Sequence, residues 1–294
     1  MRIDVLDLGS NTFHLLQAEV AGTHVEAVSD RKLWVRLGEE AFELGRIPDA
    51  ACERALDAIA ALLAPLGGGR PVAVATGVFR EAANADALLA EIRLRFGLDV
   101  RVLDGREEAA LVYDGVRGEA LDPASRLAVF DLGGGSLECA VGERGRLEVM
   151  ESLPLGALRL AGLSTGEVRS LVVGIAGPVV AAIAASKPDE VILAAGTARA
   201  LYKLAKRLRR TSSVAGCMSR STVRVLAELL HGLTPTELAQ LGITSARHDT
   251  IAIGARVLAT VVELLDVPVV RVANGALREG VVLHEAALRL RLVA

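Results

Sequence analysis

The chain has 294 residues, 52% hydrophobic, 23% charged and only 3% aromatic, with 33 basic against 36 acidic side chains for a net charge of −3. That length suits two domains, the apolar content excludes a disordered chain, and the near balance of charge gives no global pull on a polyanion such as nucleic acid. Any affinity for phosphate must therefore come from local geometry. The longest uncharged stretch, 170–186, falls short of the roughly 20 residues a bilayer core needs and is interrupted by Gly174, Gly177 and Pro178, so no membrane span is expected. The opening Met1-Arg2-Ile3-Asp4 lacks a signal-peptide layout, which makes the cytoplasm the expected address. Cys52, Cys139 and Cys217 are dispersed and odd in number, and no His-x-x-x-His pair occurs, so the cysteines are expected in the core rather than in a disulfide or zinc site.

In chain order, residues 3–8 and 13–20 are apolar runs split by Gly9-Ser10-Asn11-Thr12, the signal of two strands around a tight turn, with a third strand near 25–35. Pro48 opens a segment whose Ala51, Ala55, Ile59 and Leu62 recur at helical intervals, and Gly67-Gly68-Gly69 stops it. A strand at 72–75, a helix at 80–96, a strand at 99–103 and a helix at 107–116 complete a first half that reads as α/β with a mixed sheet. The second half repeats the opening. Residues 129–138 align without gaps on 5–14, an offset of 124 that carries Asp7-Leu8-Gly9 onto Asp131-Leu132-Gly133 and Thr12 onto Ser136. A strand at 147–153, a helix near 167–185, a strand at 191–193, helices from Ala198, Thr222 and Thr250, a strand at 267–272 and a terminal helix from Leu277 follow. One domain is duplicated on this reading, giving domains at 1–120 and 121–294, with 280–294 packing back on the first.

Each copy ends a strand on aspartate and passes through a glycine turn into a second strand. Glycine has no Cβ to obstruct approach, so backbone N–H groups can point at an anion while Thr12 or Ser136 adds a hydroxyl. Two such turns facing each other across a cleft would hold a phosphorylated ligand. Asp131 and Glu138 stand seven apart on the arms of the second hairpin and offer the oxygen ligands that Mg²⁺ takes beside phosphate, with Asp7 as a third contributor. Either motif alone reads equally as a strand end with a turn-capping aspartate; the pair favours a site. A dinucleotide fingerprint lacks its third glycine and a Walker A loop its lysine. One carboxylate of Glu107-Glu108 can act as general base toward water, the alternative being an acidic first helical turn set against the macrodipole. Arg80 can fork onto phosphate oxygens or stand solvated.

These residues resemble the exopolyphosphatase/guanosine pentaphosphate phosphohydrolase (Ppx/GppA) family of the actin-like superfamily. The resemblance rests on Asp7-Leu-Gly-Ser-Asn-Thr-Phe-His14, Ala75-Thr-Gly-Val-Phe-Arg-Glu-Ala-Ala-Asn84, Gly105-Arg-Glu-Glu-Ala109, Asp131-Leu-Gly-Gly-Gly-Ser-Leu-Glu138, Ser152-Leu-Pro-Leu-Gly-Ala-Leu-Arg159, Gly196-Thr-Ala-Arg-Ala200 and Ala276-Leu-Arg-Glu-Gly280, in the family's order. It implies two duplicated actin-like (ribonuclease H-like) α/β domains with a cleft between them. It also implies Glu108 as the catalytic base and Asp131, Glu138 and Asp7 toward a divalent metal, Mg²⁺ or Mn²⁺. Ser10, Asn11 and Thr12 match the first phosphate loop and Gly133, Gly134, Gly135 and Ser136 the second, while Arg80, Gly196 and Thr197 join the phosphate-binding set.

The implied reaction is release of terminal orthophosphate from inorganic polyphosphate. The rivals are a guanosine pentaphosphate (pppGpp) 5′-phosphohydrolase, an ATP-dependent kinase or chaperone on the same scaffold, and a phosphate-ligand sensor. Polyphosphate or pppGpp is then the partner, with no nucleic acid or membrane, and a homodimer is left open. Two positions depart from the family pattern, Ala110 where arginine is common and Leu137 where threonine is, and the additional C-terminal helical domains of longer members have no counterpart in this sequence. Lys203, Lys206, Arg207 and Arg210, with Arg209 beside them, fall at helical spacings and are read as one basic face, a track for polyphosphate or a solvated surface.

Overall fold

The computed structural model describes residues 1–22, 24–118, 122, 124–212 and 214–293. An antiparallel meander of β1 (Arg2–Leu8), β2 (Thr12–Ala21) and β3 (His24–Trp34) opens the chain. It leads to α1 (Gly38–Leu44), α2 (Asp49–Leu63), β4 (Val72–Ala75), α3 (Val78–Glu81), α4 (Ala85–Phe96), β5 (Val100–Val102) and α5 (Gly105–Arg117). A second meander of β6 (Arg126–Leu132), β7 (Leu137–Glu143) and β8 (Arg146–Leu153) leads to α6 (Thr165–Ala185), β9 (Glu190–Ala194), α7 (Ala195–Arg207), β10 (Cys217–Ser219) and α8 (Arg220–Leu229). The chain closes with α9 (Pro235–Gln240), α10 (Ile251–Leu265), β11 (Val269–Val272) and α11 (Leu277–Val293).

The duplication read from the sequence is present in the sheets. One has the order β3-β2-β1-β4-β5, and the other repeats it as β8-β7-β6-β9-β11 with β10 added at the edge. The repeat holds residue by residue at the same offset. Asp7 stands opposite His14 as Asp131 stands opposite Glu138, and the register shift at Gln17/Ala18 recurs at Val141/Gly142. Each turn is closed by the same bond, Gly9 N–H to Thr12 O at 3.1 Å and Gly133 N–H to Ser136 O at 3.0 Å.

Strand alternation decides which side chains face the space between the sheets. Ile3 and Val5 on β1, and Leu127 and Val129 on β6, pack into a central core with α5 and α11, while Leu6, Leu8, Phe130 and Leu132 turn to the two outer cores. Asp7 and Asp131 continue the inward series by one step, so both carboxylates emerge at the C-terminal ends of β1 and β6 beside the cleft. In the central core α5 and α11 cross backbone to backbone: a Cβ on Gly280 would lie 1.8 Å from the Leu111 carbonyl oxygen, and one on Gly115 2.0 Å from that of Ala276. Beyond α5, α11 also packs on β1 and β2.

Several local expectations are corrected. The single helix expected at 80–96 is two, because Asn84 breaks it with both ends of its amide, accepting from Ile47 N–H and donating to Ile47 O at 2.8 Å each. The short elements α1, α9 and β10 were not anticipated. α6 is 21 residues and holds an 18-residue window of mean hydropathy 2.0, long and apolar enough by composition to cross a membrane, whereas the uncharged stretch 170–186 alone is too short. One face of it, from Val168 through Val172, Ala176 and Val180 to Ile183, is buried in the outer core of the second sheet. Cys139 and Cys217 are buried, Cys52 is half-buried, and all three are free thiols. The expected domain boundary at 120/121 lies outside the described residues.

Candidate active site

The two glycine turns meet. Gly134 approaches Asn11 so closely that a Cβ there would sit 3.0 Å from the Asn11 Cβ, and one on Gly135 would sit 2.9 Å from Ser10 Oγ and 2.8 Å from the Phe42 ring. Gly77, with φ +55°, lies against the same Ser10 hydroxyl, which accepts the Val78 N–H at 3.0 Å. The turn carbonyls are tied back. Ser10 O and Asn11 O accept from Gly38, Val35 and Arg36, while Gly133 O and Gly134 O accept from Ala157, Leu158 and Arg159. No protein acceptor takes the N–H groups of Ser10, Asn11, Gly134 or Gly135 among the described residues, leaving them available to an anion.

Carboxylates form one wall of the cavity between the turns. Asp7, Glu108, Asp131 and Glu138 all line it, and all are buried deeply enough to feel one another. Burial pushes Asp131 up to about 7, with the charges of Glu138 and Asp7 adding to the effect, and burial pushes Asp7 up to about 6. Asp7 Oδ1 is buried without a hydrogen-bond partner. Glu138 is also raised by burial, against which the Ser136 and Ser152 hydroxyls work. Glu108 is raised well above the usual carboxylate range, first by burial and then by Glu138, with Arg80 opposing. The choice within the acidic pair is structural: Asp104 caps α5 by accepting the Glu107 N–H at 2.8 Å, Glu107 itself turns outward to Arg101, and Glu108 turns into the cavity.

The same cavity also has a cationic wall. Lys32 Nζ lies 3.8 Å over the Trp34 ring with the Arg247 guanidinium 5.1 Å from it, and Arg199 and Arg278 stand nearby. Burial and then the charges of Arg247, Arg199 and Arg278 bring Lys32 down to about 7. Arg278, only 7% exposed, donates to Asp30 at 2.6 Å and to His14 Nδ1 at 2.9 Å. Because arginine can only donate, that nitrogen of His14 is an acceptor and the ring is neutral, in keeping with burial lowering its pKa to about 4; Nε2–H is then left for Thr12 Oγ1 at 3.1 Å.

A second cavity, of about 460 Å³, shares this cationic wall and continues past Lys203 and Arg207. It corrects the expected basic stripe. α7 ends at Arg207, so Arg199, Lys203 and Arg207, four residues apart, form the row on the cavity; Lys206 projects from another face, and Arg209 and Arg210 lie beyond the helix.

The cavity thus gathers Asp7, Ser10, Asn11, Thr12, Glu108, Asp131, Gly133, Gly134, Gly135, Ser136, Glu138, Gly196 and Thr197 from the sequence-derived set, but not Arg80. Gly196 serves partly as a seat for a cation, since a Cβ there would lie 2.1 Å from Arg247 Nη2. Arg199 and Arg278 went unassigned although they stand inside matched segments. Lys32 and Arg247 carry no local signal and reach the site only through the fold.

A family model for the Ppx/GppA phosphatase family matches residues 16–288. The chain belongs to that family. It is 31% identical to Exopolyphosphatase 1 of Mycobacterium tuberculosis (strain H37Rv) over 97% of this chain and 88% of that one. To the guanosine-5′-triphosphate,3′-diphosphate pyrophosphatase of Aeromonas salmonicida it is 28% identical over 94% of this chain and 58% of that one. The crystal structure of an exopolyphosphatase from Cytophaga hutchinsonii matches with a TM-score of 0.84 at 26% identity over 96% of both chains. The two repeated sheets are thus the fold of the Ppx/GppA family. Its two departures from the family pattern fall off the cavity wall: Leu137 faces the outer core beside Cys139 and Val141, and Ala110 is absent from the lining.

Proposed function

We propose that the protein is an exopolyphosphatase, releasing orthophosphate from the end of inorganic polyphosphate by attack of water on the terminal phosphorus. The observation that carries this reading is the charge layout of the two joined cavities. Carboxylates and free N–H groups share the first cavity with Lys32, Arg199, Arg247 and Arg278, and the second cavity continues from those cations to Lys203 and Arg207. A chain of phosphates matches such a row at every unit, whereas a purine would need an apolar platform, and the chain's one tryptophan already carries Lys32 on its face.

Asp7, Asp131 and Glu138 suit a divalent cation, Mg²⁺ or Mn²⁺: they offer only hard oxygen donors, one atom of Asp7 lacks any partner, and their crowded charges favour a counter-ion. Among the described residues no group of three or more His, Cys, Asp or Glu could hold a metal ion together, so one or two of these carboxylates would hold it, with phosphate oxygens and water completing the shell. Such an ion, when bound, supplies charge neutralisation on the transferring phosphoryl group. Glu108 accepts the proton of the attacking water, and its raised pKa makes it a stronger base than an exposed carboxylate. The N–H groups of Ser10, Asn11, Gly134 and Gly135 and the hydroxyls of Thr12 and Thr197 take the non-bridging oxygens, in positions fixed before substrate arrives. On this reading the two domains divide near residue 120, and α11, packed on α5, β1 and β2, belongs with the first.

The second reading is hydrolysis of pppGpp, favoured by the likeness to the Aeromonas protein. Phosphate release by the purified protein, with Mg²⁺ and with Mn²⁺, from polyphosphates of defined length and from pppGpp separates the two. A higher kcat/KM on polyphosphate supports the proposal, and release from pppGpp alone replaces it with the second reading. Reversing Lys203 and Arg207 to glutamate is expected to weaken long-chain turnover more than short-chain turnover.

A further inference from the structure

Arg80 is not among the residues that line the cavity, and 19% of its side chain is exposed. Its Nη1 donates to the Leu103 carbonyl at 3.2 Å and to the Glu108 carboxylate, with which it forms an ion pair. Its Nη2 reaches Ser152 Oγ at 3.3 Å, and that hydroxyl donates to Glu138 Oε1 at 2.8 Å. One guanidinium thus connects, directly or through one hydroxyl, a carboxylate on α5 with a carboxylate on β7. Gly105 makes the arrangement fit: a Cβ there would lie 2.7 Å from Ser152 Cβ and push β8 off the first turn of α5.

We infer that Arg80 is a positioning residue rather than a phosphate ligand, fixing the Glu108 carboxylate toward the cavity while Ser152 extends the same restraint to Glu138. The inference rests on the reading of Glu108 as the base. A planar fork with three acceptors around it holds an angle as well as a charge, and a base must be held in direction to take a proton from one particular water. Lysine keeps the charge but cannot span Leu103, Glu108 and Ser152 together.

The test separates holding the base from holding the substrate. In Glu108→Gln, with the divalent metal withheld so that the residual turnover does not consume the ligand, titration calorimetry with tripolyphosphate is compared with and without the further change Arg80→Gln. The expected Kd values agree within about threefold, because no phosphate contact has been lost; weakening of about tenfold or more, the scale of one lost charge-assisted contact, would overturn the inference. In the otherwise intact enzyme, Arg80→Gln lowers kcat about 10²-fold with little change in KM, and Arg80→Lys recovers part of the loss. A raised KM with kcat preserved contradicts it. The Arg80 loss should also vanish in the Glu108→Gln background, since two residues acting through one group are not additive. Should Arg80→Gln not fold, Ser152→Ala provides the same split with the Arg80–Glu108 pair intact, and a loss confined to KM again overturns the inference. If Glu108→Gln keeps wild-type kcat, the base assignment falls; if it is inactive while the Arg80 change weakens binding, only this inference falls.

Discussion

Glu107 and Glu108 are neighbours on one helical turn, yet one pairs with Arg101 at the surface and the other is 6% exposed against three further acids. A local pattern shows that one of two carboxylates faces inward, but which one depends on the azimuth of α5, set by Val112 and Val116 packing in the central core. Glu108→Gln is expected to lower kcat at least 10²-fold, while a thermal melt shows no loss of fold, since amide replaces a charge that burial and Glu138 already disfavour. Lys32 gives a second prediction. With its free-state pKa near 7, a bound polyanion raises it and binding takes up a proton above that pH, so affinity falls toward about tenfold per unit as pH rises past 7. At low pH both states are already protonated and the dependence vanishes. Calorimetry in two buffers of different ionisation enthalpy measures the uptake, and Lys32→Met should abolish it. Nothing in the residues around Lys32 announces this, because the depression comes from burial in the fold and then from cations on α7, the segment before α10, and α11.

At the scale of elements, the hairpins were the most legible part of the chain. Strand-turn-strand patterning, the offset of 124 and the inward parity of Asp7 and Asp131 are all local properties, and the sheets reproduce them down to a shared register shift. What could not be read depended on contacts between elements. Asn84 looks like any helix residue until Ile47 takes both ends of its amide, and α1, seven residues with no side-chain cap, forms where it buries Gly38 and Ala41. The same holds for the glycines of the crossing helices, Gly115 and Gly280, which give no turn signal. Gly280→Ala places a methyl in the Leu111 carbonyl, so a cost of about 3 kcal/mol and a drop in Tm of roughly 6 °C are expected, measurable by calorimetric melting. An unchanged Tm would show that α5 and α11 are free to separate.

Across the whole molecule, side-chain contacts tie the two halves of the chain together. Arg36 pairs with Asp249, Arg247 reaches Trp34, and Arg159 stacks 4.0 Å over Phe42 while donating to Glu81 at 2.6 Å. Arg159 also donates to Gly135 O at 2.8 Å, so this bridge holds the second turn as well. Asp249→Ala is expected to change stability little, as exposed pairs contribute about 0–1 kcal/mol, and to raise KM for polyphosphate by loosening the tie between the two halves. The central claim, that this cavity directs water at the last phosphorus of a phosphate chain, is tested most directly by turnover of polyphosphate in oxygen-18 water with mass analysis of both products. One heavy oxygen in each released orthophosphate, with none in the shortened chain, is the predicted result. Label left on the remaining chain, or no orthophosphate from the intact protein with either metal, would contradict it.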